Sequence, residues 1–155
     1  MSVDVGSNAP DFTLPNQNRE PVTLSDALGT RNVVLAFFPA AFSSVCAKEL
    51  CTFRDSIGAL NRANAAVYGI SVDTPFALGA FAKEQNLTFP LLSDFNKEAI
   101  RQYGVYNENM IGLKGIAKRA VFVIDKHGVV RHREVLEDAR NEPDYRKVQK
   151  VLEGL

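Results

Sequence analysis

The segment Asn32-Val33-Val34-Leu35-Ala36-Phe37-Phe38 constrains this chain more than any other. It carries no charge, is too short for a buried helix, and is too uniformly apolar for a strand with one wet face. It therefore reads as a central strand covered on both sides and ended by Pro39. Ala65 to Val72 and Arg119 to Asp125 read the same way, the latter with a charge at either end. After a small-residue loop, Cys46 to Arg62 places Leu50, Phe53, Ile57 and Leu60 at spacings of three and four, the stripe of an amphipathic helix. Thr74-Pro75, a capping residue followed by proline, opens a helix that runs to about Asn86.

The remaining elements are shorter. Phe12-Thr13-Leu14 and Val22-Thr23-Leu24 alternate around Pro15-Asn16-Gln17-Asn18 and predict a hairpin, with Ser25 as a candidate cap for a turn of helix. Leu91-Leu92 marks a strand and Lys97 to Tyr103 a helix. Lys126-His127-Gly128 turns Arg119–Asp125 into Val129–Val135, and Pro143 begins a last helix to about Glu153. This alternation defines an α/β class, with helices on both faces of the sheet. A thioredoxin-like sheet with an added amino-terminal hairpin and a flavodoxin-like sheet both fit it.

The 155 residues fit one domain spanning 1–155, and 46% apolar with 23% charged residues supplies an ordinary core. Eighteen basic residues balance eighteen acidic ones, which argues against a sequence-independent hold on nucleic acid. The start of the chain lacks the cationic and apolar pattern of a secretory signal, and no apolar run approaches the ~18 residues that span a bilayer. A soluble, cytoplasmic protein is expected, with neither nucleic acid nor membrane as a partner. Cys46 and Cys51 are too few for a disulfide scaffold, which makes a chemical role the better reading.

In open α/β sheets the reactive site lies beyond the carboxyl ends of the strands, and here a strand ends at Phe38 and a helix begins near Cys46. Free N–H groups and the helix dipole favour a thiolate there. Such cysteines reach pKa values of ~3.5 to 7.5 against ~8.5 for a free thiol. By position alone, a small buried apolar cysteine is an equal reading.

The surrounding residues add to this. Pro39-Ala40-Ala41-Phe42-Ser43-Ser44-Val45-Cys46 is Pro-x-x-x-Ser-x-x-Cys, followed by Glu49. It resembles the peroxidatic loop of the peroxiredoxins. Gly6 with Ala9 to Leu14, Phe89 to Asp94, Tyr103-Gly104-Val105 and Arg119 heading Val121 to Asp125 extend the resemblance over most of the chain. It implies a thiol-dependent peroxidase on a thioredoxin-like fold, in which the Cys46 thiolate attacks hydrogen peroxide or an organic hydroperoxide. By the same resemblance, Ser43, Arg119 and the N–H groups of Val45 and Cys46 hold the oxygens, Arg119 favours the thiolate, and Pro39 shields it. No cofactor, metal or haem is implied. The expected reductant is a thioredoxin-like protein or a low-molecular-weight thiol.

Each residue also has a plainer reading. Ser43 can cap the helix, Arg119 can form a surface ion pair, Glu49 can favour the first helical turn or orient arginine, and Pro39 can end the strand. Cys51 lies five residues after Cys46, a spacing that resembles the bacterioferritin-comigratory branch, where the second cysteine resolves the sulfenic acid as an intramolecular disulfide. On an intact helix the two Cα atoms stand about 8.6 Å apart. A disulfide takes ~4.4 to 6.8 Å, so resolution requires the helix to unwind. The chain also resembles the one-cysteine alkyl hydroperoxide reductase E group, in which an external thiol would act and Cys51 would be a core residue. The two resemblances leave the role of Cys51 open.

A thioredoxin-class disulfide-exchange protein is the rival, although the chain lacks Cys-x-x-Cys and has no proline between Pro90 and Arg119. A non-enzymatic interaction module is a third reading. His127 and His132 read as surface residues rather than ligands. Phe37, Phe38, Phe42, Phe81, Phe89, Phe95 and Phe122 read mainly as core, with Phe42 also a candidate wall of the peroxide pocket. Tyr106 to Ile116 reads as a loop or part of a dimer face, leaving monomer and homodimer open.

Overall fold

A computed structural model of the chain describes residues 3–155. In chain order the elements begin with β1 (Thr13–Pro15), β2 (Pro21–Thr23), α1 (Leu24–Ala27), β3 (Asn32–Phe37) and α2 (Ser44–Asp55). Next come α3 (Ile57–Arg62), β4 (Ala65–Ser71), α4 (Pro75–Glu84), β5 (Leu91–Ser93) and α5 (Ala99–Gln102). The last are β6 (Tyr106–Asn107), β7 (Ile116–Ala117), β8 (Arg119–Ile124), β9 (Val130–Leu136) and α6 (Tyr145–Glu153).

The main sheet has the order β5-β4-β3-β8-β9. β3, β4 and β5 run parallel, whereas β8 is antiparallel to both β3 and β9. Parallel neighbours need helical crossovers, which α2 with α3 and then α4 provide. The antiparallel β8 excludes a flavodoxin-like sheet and leaves the mixed, thioredoxin-like one. β1 and β2 form the expected hairpin, with Leu14 opposite Val22.

Side-chain alternation divides the core between the two faces of the sheet. Val33, Leu35 and Phe37 of β3 join Phe122 and Ile124 of β8 beneath the hairpin, α1 and α5. Val34, Ala36 and Phe38 join Val121 and Val123 beneath α2, α3, α4 and α6. Long helices thus cover one face, and the hairpin with two short helices covers the other. Gly69 of β4 lies under α2, where a Cβ would stand 2.7 Å from Leu91 Cδ2 and 3.5 Å from Leu50 Cδ2, so the missing side chain lets α2 seat closely.

Several expectations are corrected. The helix read as Cys46 to Arg62 starts at Ser44 and breaks at Ser56 (φ −94°, ψ 3°), giving α2 and α3. Ser25 lies inside α1 and is no cap; its N–H instead donates to Asp11 Oδ1 at 2.9 Å. The helix read as Lys97 to Tyr103 shortens to Ala99–Gln102, because Lys97 has φ +60°. Asp94 accepts N–H bonds from Glu98, Ala99 and Ile100 at its start. Part of 106–116 pairs as β6 and β7. Of the seven phenylalanines read mainly as core, Phe42 and Phe95 are exposed, whereas Phe37, Phe38, Phe81, Phe89 and Phe122 are buried. His132 is partly buried, with a buried Nε2 that has no partner, rather than lying on the surface.

Candidate active site

Three elements meet at the site. The apolar run of β3 ends at Phe37, and the loop after Pro39 turns the chain into α2, whose inward stripe is Cys46, Glu49, Leu50 and Phe53. On β8, Arg119, Val121 and Val123 share one face, the face on which α2 packs. Ala120 pairs with Phe37, which places Arg119 just beyond the end of β3. Topology alone brings Arg119 under the first turn of α2.

Cys46 is fully buried and Arg119 is 1% exposed. The guanidinium uses each of its nitrogens: Nη2 donates to Cys46 Sγ at 3.1 Å, Nη1 to Glu49 Oε1 at 3.0 Å, and Nε to the Ala139 carbonyl at 3.0 Å. The planar fork spreads its donors over three nitrogens and so meets acceptors set apart around it, whereas an ammonium carries all its donors on one nitrogen. The first intrahelical bond of α2 runs from the Ala47 N–H to the Ser43 carbonyl. The N–H groups of Ser44, Val45 and Cys46 therefore lie ahead of the helical ladder, at the positive end of the helix.

Glu49 is fully buried and its Oε2 has no partner. Burial pushes its carboxyl up to about 8, and the nearby Arg119 only partly offsets this. For Arg119, burial opposes the charge, but Glu49 and Cys46 outweigh it and hold the guanidinium more firmly protonated. One cation here faces two groups able to carry negative charge. Below about pH 8 its burial keeps Glu49 neutral.

The raised Glu49 pKa also sets a stability slope. The folded chain holds a proton there that the unfolded chain releases near 4.5, so this contribution is full below that pH and is lost as pH rises through about 8. Unfolding free energies from urea titrations between pH 5 and pH 8 are expected to fall with a slope of up to about 1.4 kcal/mol per pH unit from this group. Glu49→Gln is expected to flatten that part of the profile. An equally steep profile in the variant would place the titration elsewhere.

Above the site lies a cavity of about 1000 Å³, lined by Pro39, Ser43, Val45 and Arg119 together with Met110, Ile111 and Leu113. Cys46 lies beneath this lining rather than in it. Of the residues singled out in the sequence, Cys46, Glu49 and Arg119 are in direct contact, and Ser43 and Pro39 stand at the cavity. Ser43 occupies the N-cap position but does not cap; its hydroxyl donates to the Ala40 carbonyl at 3.0 Å. Arg119 is buried, which overturns the surface ion-pair reading. Phe42 does not wall the cavity; its ring meets Phe81 edge-on, with centroids 5.2 Å apart. Cys51 is not brought to Cys46. Both thiols are free, α2 is continuous between them, and Cys51 Sγ donates to Gln85 Oε1 at 3.3 Å. The Ala139 carbonyl was not legible in the sequence, because a backbone acceptor in a loop leaves no residue-type signal.

A fully buried thiol bound to a guanidinium at the start of a helix, on a mixed five-stranded sheet, defines a redox-active thiol protein of the thioredoxin fold. The chain belongs to the AhpC/TSA family, whose model matches residues 5–133, and so to the peroxiredoxins, which are thiol-dependent peroxidases. It is 42% identical over 135 residues to the alkyl hydroperoxide reductase E of Mycobacterium tuberculosis, covering 86% of both chains. It is also 42% identical over 133 residues to a putative bcp peroxiredoxin of Coxiella burnetii, covering 84% of this chain and 87% of that one. Among solved structures, the peroxidoxin BcpB of Mycobacterium tuberculosis superposes with a TM-score of 0.89 at 33% identity, over 99% of this chain and 98% of that one. No helix among the described residues is long and apolar enough to cross a membrane.

Proposed function

We propose that this peroxiredoxin reduces hydrogen peroxide or organic hydroperoxides at Cys46. The Arg119 contact to Cys46 Sγ at 3.1 Å, beneath an open cavity, carries the reading. The thiolate attacks one oxygen of the hydroperoxide in line, an S–O bond forms as the O–O bond breaks, and the departing oxygen takes a proton to leave as water or an alcohol. Arg119, Ser43 and the N–H groups of Val45 and Cys46 stabilise the charge that develops on that oxygen. Pro39, buried at the cavity edge, limits water at the sulfur. Glu49 steadies the guanidinium from the side away from substrate. The apolar wall of Met110, Ile111 and Leu113 supports room for an organic hydroperoxide.

Cys51 then attacks the Cys46 sulfenic sulfur, water leaves, and a disulfide forms once the start of α2 has unwound. A thioredoxin-like dithiol protein in the cytoplasm restores both thiols. The intact α2 and the Cys51 bond to Gln85 favour a second reading, in which an external thiol meets the sulfenic acid directly. Cys51→Ser separates them. Under the first reading the variant retains its first oxidation but loses at least about tenfold of turnover with a dithiol protein. Unchanged turnover would favour the second.

A further inference from the structure

The loop that delivers Cys46 is tied down by a residue that the mechanism above does not use. The Ala41 N–H donates to Asp73 Oδ2 at 2.8 Å, and the same oxygen accepts the hydroxyl of the buried Ser71 at 2.7 Å. The Asp73 backbone is fixed in turn. Its N–H donates to Ser71 Oγ at 3.2 Å, and its carbonyl accepts the Ser93 hydroxyl at 2.6 Å. Asp73 thus forms a post built on the ends of β4 and β5, and the loop hangs from it through the Ala41 amide.

The next residue needs such support. Phe42 has φ +69°, in the left-handed region that a bulky side chain rarely enters. A conformation of this kind persists only where its surroundings over-determine it. Here the Asp73 bond to Ala41 holds one side, the Ser43 hydroxyl on the Ala40 carbonyl holds the other, and Phe81 receives the ring. Farther along α2, Phe53 meets Tyr145 of α6 edge-on at 5.4 Å, so the middle of that helix is anchored independently of the loop.

We propose that Asp73 is a positioning residue that latches the loop at 40–43 and so sets how often the start of α2 opens. This extends the function proposed above, because Cys46 meets peroxide in the closed form and Cys51 in the open one. In the closed form an S–O bond forms, the O–O bond breaks, and the hydroperoxide is reduced to an alcohol or water. In the open form Cys51 displaces water from the sulfenic sulfur and an S–S bond forms. Releasing the latch therefore speeds the second step without speeding the first. General damage to the fold would slow both.

The test compares the full-length wild type with Asp73→Ala and Asp73→Asn. Amide hydrogen exchange over 40–47 is followed in the reduced protein without peroxide, and the two oxidation steps are timed after mixing with hydrogen peroxide. In Asp73→Ala, exchange over 40–47 is expected to rise roughly tenfold or more, the scale of losing one hydrogen bond to a charged acceptor. Disulfide closure is expected to quicken in parallel, and sulfinic acid at high peroxide to decline. Asp73→Asn keeps a carbonyl able to accept from Ala41 and is expected to fall between. If Asp73→Ala does not fold, Ser71→Ala removes the hydroxyl that steadies the carboxylate and carries the same expectation at smaller amplitude.

Unchanged exchange over 40–47, or slower closure in a variant with a normal melt, would overturn the latch. Raised exchange in a protein whose wild type forms no disulfide would support the latch and count instead against Cys51 as the resolving thiol.

Discussion

Arg119→Ala is expected to slow the reaction of Cys46 with peroxide by about 10²- to 10³-fold, the usual cost of removing one donor that stabilises charge in a transition state. The variant is also expected to lose stability, for a separable reason. Arg119 donates to Cys46, Glu49 and the Ala139 carbonyl from a position that is 1% exposed, and its removal leaves Glu49 buried without a cation. Above about pH 8, where Glu49 ionises, breaking the buried pair from one side typically costs about 3 to 5 kcal/mol. The two effects part in the double variant. At pH 9, adding Glu49→Gln to Arg119→Ala removes the group that would ionise, so part of the lost urea midpoint returns while the peroxide rate stays low. Recovery of both together would mean that Arg119 acts only as a structural partner of Glu49. Arg119→Lys keeps the charge but carries its donors on a single nitrogen rather than a planar fork, and its rate is expected to lie between.

Cys46→Ser is expected to bring peroxide turnover below detection in an assay coupled to a thioredoxin system. Serine fits the same buried volume and still offers Arg119 Nη2 an acceptor, so the melting temperature stays near that of the wild type. A hydroxyl does not ionise near neutral pH and supplies no nucleophile for the O–O bond. The comparison with Cys51→Ser assigns the roles. Activity retained by Cys46→Ser and lost by Cys51→Ser would move the chemistry to the second cysteine, which is half-buried on α2 beside Gln85.

The uncharged run ending at Phe38 and its counterpart headed by Arg119 were legible as buried strands because both of their faces are covered. The placement of Cys46 in the first turn of a helix, just after a buried strand, was legible because Pro39 ends the one and the apolar stripe from Leu50 marks the other. That Arg119 meets Cys46, 73 positions away in sequence, was carried by the resemblance to the peroxiredoxins and not by any local pattern. It depends on β8 running antiparallel to β3, and apolar periodicity does not encode strand direction. The break at Ser56 was missed because the apolar stripe continues in phase across it from Phe53 to Ile57. Asp73 and the Ala139 carbonyl were missed for a common reason: each acts through a backbone group of a distant loop.

The intact mass of the reduced protein after one equivalent of hydrogen peroxide tests most directly whether Cys46 and Cys51 form one redox couple. A loss of about 2 Da without a dimer is expected, showing that peroxide has been reduced and the two thiols have closed on each other. A stable gain of about 16 or 32 Da would mean sulfenic or sulfinic acid with no internal resolution, contradicting the role given to Cys51. A mass that does not change would contradict peroxide reduction at Cys46 itself.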